Sequence, residues 1–422
     1  MVASPAMRAQ TSLALAALLL GACAREEPTA PVAVELVPSE VVVVPGELVI
    51  VAGGNAQLAA QSNDGAGNPI GGAPLDFSSD TPSVLRVSST GLVASVGPAG
   101  QGIIKVASGG TRARVTVTVK PAPASRMEVA GTSGADGVVG EPLAAAIRVK
   151  VTDQFRNPVA GIVVQFETEA LGGAVAPPQA TTDASGVART AWTLGEPAGA
   201  QTLKASAAGV PALEIGAMAV PGKPAGIEAV GTPAAVVAGT PVRLGVLVRD
   251  RFRNPVPGVS VAWTVTQGEP RLALPATETN AAGVAEVEAI TAGRAETATI
   301  VAALPGAGQP SVGLTLESVA GPPARLGIAD GDAQDAPLDS AVALRPTVLV
   351  TDVNGNPVAG ALVTFAVTAG GGRVEEAVQA TGSDGRAAPA AWILGAAAEN
   401  QLQASTPGVN EAVTFTARSR AP

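Results

Sequence analysis

The chain has 422 residues, enough for about three to five ordinary domains. At 47% hydrophobic and 14% charged it is too apolar for disorder, and 50 glycines with 35 prolines break its Val-rich segments into many short strands, so the class is all-β. A net charge of −9 argues against nucleic acid, and the absence of histidine and tyrosine, with one cysteine, removes the usual general base, histidine-based metal ligation, thiol catalysis and any internal disulfide.

The N-terminal stretch reads as an export signal. Met1–Ala22 carries one basic residue, Arg8, followed by the apolar run Leu13–Leu20 and then Gly21-Ala22-Cys23. The run is too short to span a bilayer as a mature helix but suits a secretory signal, and a start at Met7 serves as well as one at Met1. Leu20-Gly21-Ala22-Cys23 closely resembles the bacterial lipobox. That resemblance implies cleavage between Ala22 and Cys23, with acyl chains placed on Cys23. One chain binds membranes marginally while two or more anchor stably, so the membrane is the expected partner through this lipid. Ala24 stands where an inner-membrane lipoprotein keeps aspartate, which favours the cell outer membrane, on its periplasmic or its surface face. On this reading residues 1–22 are a lipoprotein signal peptide and 23–31 a short tether, AREEPTAP following the cysteine. The alternative is a plain secretory signal with an incidental cysteine.

Beyond the tether one nine-residue phrase returns. It is loose at Asp64–Gly72 (DGAGNPIGG) and close at Asp153–Gly161 (DQFRNPVAG), Asp250–Gly258 (DRFRNPVPG) and Asp352–Gly360 (DVNGNPVAG). The close copies open at 153, 250 and 352, hence 97 and 102 residues apart, the size of one β-sandwich. Strand pattern precedes each of them: Ile147, Val149 and Val151 alternate with polar residues, and Leu244, Val246 and Val248 follow the same period of two. The last copy keeps Val348 and Val350 but has Pro346 at the matching earlier place, which predicts an edge strand or a local bend. Three residues past each final glycine stand Leu75, Val164, Val261 and Val363, and five past it Phe77, Phe166, Trp263 and Phe365. The phrase is therefore predicted to be a turn between two core strands. Its aspartate bonds nearby amides, its proline holds the preceding asparagine extended, and its glycine relaxes the exit. Gly186, Gly283 and Gly385 each lie 33 residues beyond the opening aspartate and each begin a further strand. Trp392 sits one residue further from its glycine than Trp192 does, a slip that a bulge near Pro389 would absorb.

An aromatic on the strand after such a turn resembles the buried aromatic of immunoglobulin-like sandwiches. More specifically, D-x-x-x-N-P-V-x-G with the later T-x-x-x-G-x-A strand is similar to bacterial Ig-like domains of group 1, the Big-1 repeat of intimin and invasin, at 122–220, 222–320 and 322–418. Residues 32–119, with SSDTPSVLRVSSTGLVASVGPAG at Ser78–Gly100, resemble a group 2 bacterial Ig-like domain. The resemblance implies a tandem array of four immunoglobulin-like β-sandwiches. The joints Lys120-Pro121-Ala122-Pro123, Pro221-Gly222-Lys223-Pro224 and Gly321-Pro322-Pro323 are proline-rich and semi-rigid, predicting a rod on the order of 120–160 Å long.

Catalytic and ligand chemistry has few candidates. Glu26-Glu27 and Glu375-Glu376 are adjacent carboxylates, but neighbours on a strand face opposite ways, so solvated surface charge explains them. Asp352-Val353-Asn354-Gly355-Asn356 has oxygen ligands at spacings that superficially suit calcium, whereas the other copies put Phe155 or Phe252 and Arg156 or Arg253 at the third and fourth positions. A turn explains every copy and calcium explains one, so no metal and no cofactor is expected. Among the aromatics only Phe155 and Phe252, at the turn tips, are expected to be exposed. They pack against a neighbouring module, the preferred reading, or meet a protein or glycan partner. The resemblance implies a non-enzymatic envelope protein, serving cell adhesion or as a structural spacer, the alternative being a polysaccharide- or protein-binding module in the periplasm. Intimin-type adhesins also carry an outer-membrane β-barrel before their repeats and a receptor-binding tip after them, and neither pattern is present in these residues.

Overall fold

A computed structural model describes residues 36–131 and 136–421, so Ala22, Cys23, the signal, the tether and Glu26-Glu27 lie outside the described residues. Every regular element among the described residues is a strand. The chain divides into two compact units, one through Ala122 and one from Pro123.

In the first unit a four-stranded sheet takes its order from Glu47–Val51, Thr111–Lys120, Gly100–Ser108 and Asp76–Ser79. The strand TRARVTVTVK shows why: Val115, Val117 and Val119 are buried while Arg112, Arg114 and Thr116 face water. Glu40–Val44 pairs with Ala59–Asn63, and Asn55–Gln57, Leu92–Ser95 and Leu85–Val87 form a small third sheet. The core gathers Leu58, Leu85, Ile104, Val106 and Val117, with Leu75 and Phe77 only partly buried against it.

The second unit holds three separate cores, the first two each between two sheets and the last among three, one of its layers being split into a three-stranded and a two-stranded piece. Around the first, Arg126–Val129, Ile147–Thr152, Val187–Thr193 and Ala174–Ala176 lie side by side. They face a sheet ordered Gly137–Val138, Val210–Val220, Gly199–Ala207, Val163–Thr168 and Gln179–Thr181. The next sandwich repeats both orders, with Pro241–Asp250, Val284–Ile290 and Ser260–Gln267 in the matching places. The aromatics five past the phrase fill the cores, Phe166, Trp263 and Phe365 all being buried, together with Trp192, Trp392 and Phe415. Removing such a ring costs about 3–5 kcal/mol, so these positions dominate each core.

The last sandwich departs where the sequence changes. Its strand Thr347–Thr351 begins only after Pro346, where the equivalent strand runs from Pro241 to Asp250. That strand lies between Arg325–Asp330 and Arg386–Ala387, so the proline shortens a central strand and does not mark an edge; the ladder is irregular opposite it, between Ile328 and Asp330. Proline lacks the N–H a central ladder needs, which is why pairing starts one residue later. The extra residue before Trp392 is absorbed in the break between Ala387 and Ala391. Val374 then pairs with Trp392 as Val175 does with Trp192, and both rings remain inside.

Pairing also fixes the ends. Ile147–Thr152 runs antiparallel to Val187–Thr193, with Lys150 beside Val187, so the phrase and Gly186 share one end of the sandwich. The loop leaving Thr193 and the exit of Val210–Val220 share the other.

Candidate functional site

All four phrases fold into the same turn. In each, the aspartate amide donates to the asparagine carbonyl four residues on, and the amide of the fourth residue donates back to the aspartate carbonyl. The aspartate Oδ1 accepts the amides of the third and fifth residues: at Asp250 these are Phe252 at 2.9 Å and Asn254 at 2.8 Å, at Asp352 they are Asn354 at 2.9 Å and Asn356 at 2.8 Å. Asp64 and Asp153 do the same. The fourth residue takes a left-handed conformation, which suits Gly67 (φ 82°) and Gly355 (φ 88°) and is adopted by Arg156 (φ 67°) and Arg253 (φ 69°) at some cost. The later glycine belongs to the same structure. A Cβ on Gly283 would lie 2.8 Å from the Pro255 Cβ and 2.9 Å from the Val248 carbonyl oxygen, so the phrase's proline closes down on a residue that can only be glycine.

The other carboxylate oxygen reaches the linker. Asp250 Oδ2 accepts the Gly222 amide at 2.9 Å and Asp352 Oδ2 the Gly321 amide at 2.8 Å. A buried carboxylate thus holds each of these proline-rich linkers. Asp250 and Asp352 are both buried. Burial pushes their carboxyls up, but the asparagine side chain, the linker glycine amide and the two turn amides together outweigh it. Both carboxyls sit below the ordinary carboxylate value.

The asparagine then crosses to the sandwich before. Asn254 Nδ2 donates to the Glu196 carbonyl at 2.7 Å while its Oδ1 accepts the Ala198 amide at 2.9 Å. Asn356 repeats both bonds, to the Gly293 carbonyl at 2.8 Å and from the Ala295 amide at 2.8 Å. The residue two before the asparagine completes the contact. Phe252 packs onto Gly140 and the core behind it, and Asn354 donates to the Ala238 carbonyl beside Gly239 at 3.2 Å. A Cβ on Gly140 would lie 2.6 Å from the Phe252 ring, so glycine is what lets the aromatic in. Because the phrase lies at one end of a sandwich and these acceptor loops at the other, successive sandwiches of the second unit abut end to end. The turn predicted as a connection between core strands is also a joint.

The remaining sequence candidates separate from it. Phe155 is 37% exposed at its turn tip. Both Asp352 carboxylate oxygens are occupied by N–H donors, and Asn354 and Asn356 spend their side chains on the neighbouring backbone, an arrangement suited to holding an anion and not a cation. Glu375 and Glu376 are exposed, one near Arg373 at 3.8 Å and the other accepting from Gln379. Sequence reasoning missed Asn254, Asn356, Gly222 and Gly321. The available signal was internal: a turn needs the aspartate and glycine, yet the asparagine recurs in every copy, and a glycine recurs in two linkers.

Residues 233–316 match the bacterial Ig-like domain (group 1) and carry that domain, with the phrase and Gly283 inside it. No curated protein matches the chain. Among solved structures, the Escherichia coli adhesin FdeC is similar over 71% of this chain and 100% of its own, at 16% identity and a TM-score of 0.51, which shows a shared fold. Invasin, a bacterial integrin-binding protein, aligns over 90% of this chain and 78% of its own at 12% identity with a TM-score of 0.41. InvD of Yersinia pseudotuberculosis aligns over 69% and 96% at 15% identity and 0.40.

Proposed function

We propose that this chain is a non-enzymatic, lipid-anchored protein of the bacterial cell envelope. Its Ig-like modules, latched end to end within the second unit, serve adhesion or hold a spacing at the outer membrane. The observation that supports it best is the latch itself: two successive joints reuse one aspartate, one asparagine and one linker glycine to bind module to module, a device that favours reach over catalysis. The Big-1 match and the adhesin-like fold agree with that role, and a chain with no histidine or tyrosine is poorly equipped for general acid–base work. Cys23 carries the lipid, cleavage falls after Ala22, and the membrane is the first partner.

Fractionation of cells expressing the parent chain and Cys23→Ser tests the anchor. The parent sediments with membranes and the variant is released; retention of the variant refutes the lipid tether. Protease added to intact cells tests display: cleavage of the C-terminal module marks the surface face, and protection marks the periplasmic one.

A further inference from the structure

The two joints of the second unit share a latch but not a charge. Beside the linker of the earlier joint lies a cleft with Val138, Val139, Pro221 and Pro224 as apolar lining and Lys223 and Arg251 as its cations; Glu141 also lines it. The Arg251 guanidinium lies 4.4 Å from the centroid of the Phe252 ring, so stacking fixes its position without a carboxylate. Among the described residues no ion pair engages Lys223, Arg251 or the adjacent Arg253. At the next joint the matching positions are Pro322, Val353 and Gly355, so the latch itself requires none of these charges. In a chain of net charge −9, this apolar cleft is thus lined by two cations against one carboxylate, Glu141.

We propose that this cleft binds a carboxylate-bearing polysaccharide, an acidic glycan whose ring faces rest on the valine and proline lining. Its carboxylates meet Arg251 and Lys223. Arg251 offers the planar fork that suits a carboxylate. This inference rests on the envelope reading and gives it a partner class.

The test uses the full chain with Cys23→Ser, titrated calorimetrically with polygalacturonate oligomers at low and physiological salt. Neutral dextran, anionic phosphatidylglycerol vesicles and single-stranded DNA are run beside it. The expected result is saturable binding to polygalacturonate alone, weakened by salt. Arg251→Val, the residue of the sister joint, should weaken it on the order of tenfold with thermal unfolding unchanged, and Lys223→Glu with Arg251→Glu should abolish it. No binding, binding equal in the variants, or equal binding to vesicles or DNA overturns the proposal. Those outcomes leave the anchor reading standing, because release of Cys23→Ser from membranes is measured in cells and needs no glycan.

Discussion

Replacing Asn356 with alanine removes its own two bonds across the later joint, the 2.8 Å donation to the Gly293 carbonyl and the 2.8 Å acceptance from the Ala295 amide, and leaves the one from Asn354 to the Ala238 carbonyl. Each contributes about 0.5–1.5 kcal/mol net, so the joint should loosen by about 1–3 kcal/mol. The substitution also strips one of four donors from the buried Asp352 carboxylate, leaving the amides of Gly321, Asn354 and Asn356. The turn should therefore persist while the contact across the joint weakens. Hydrogen exchange at the Ala295 amide reads that contact: the same energy corresponds to a loss of protection of roughly 5- to 150-fold, with core amides of Leu362–Ala369 little changed. Protection at Ala295 within about twofold of the parent would refute the reasoning, since the asparagine would then be a turn residue only.

Other consequences separate the parts of the fold. Gly385→Ala and Gly360→Ala share a φ of +73° and so a left-handed cost of about 1–2 kcal/mol. Gly385 would additionally place its Cβ 2.7 Å from the Val350 oxygen, whereas Gly360 meets nothing within 4 Å, so urea unfolding should show the first clearly more damaging. Trp192→Phe orphans the buried Gly172 carbonyl that Nε1 now bonds at 2.9 Å, while Trp392→Phe removes an unpaired buried donor. Trp192→Phe should cost about 1–2 kcal/mol more by the same assay. Asp250 and Asp352 have lowered carboxyl values in the folded chain. Their contribution is therefore present above the unfolded value near pH 4 and lost as pH falls below it through the folded value. Melting temperatures measured downward from about pH 5 should drop below about pH 4, and Asp352→Asn should remove part of that drop.

The sequence made the strands, the turn and the buried aromatics readable because each is local. Val149 and Val151 alternate, Asp153 and Gly161 bracket a turn, and Phe166 falls at a fixed offset onto an inward face. The edge expectation at Pro346 failed because proline forbids a ladder bond without saying whether a strand starts late or sits outermost. The joint was only half visible. Phe252 stood out as an aromatic at a turn tip, but Asn254 looked like a residue held extended by Pro255. Its partners at Glu196 and Ala198 are more than fifty positions earlier, on loops with no pattern of their own. Gly140 was equally silent, because its need for glycine arises from the Phe252 ring of the next sandwich.

The joint can be tested most directly by a distance distribution across it. Cys23 is the sole cysteine, so a Cys23→Ser background accepts spin labels at Thr264→Cys and Thr364→Cys, exposed positions on adjacent sandwiches. Double electron–electron resonance should give one narrow distance that broadens when Asp352 and Asn356 are both replaced with alanine. A distribution already broad in the parent, or one left unchanged by the double replacement, would contradict the claim that the recurring phrase holds module to module.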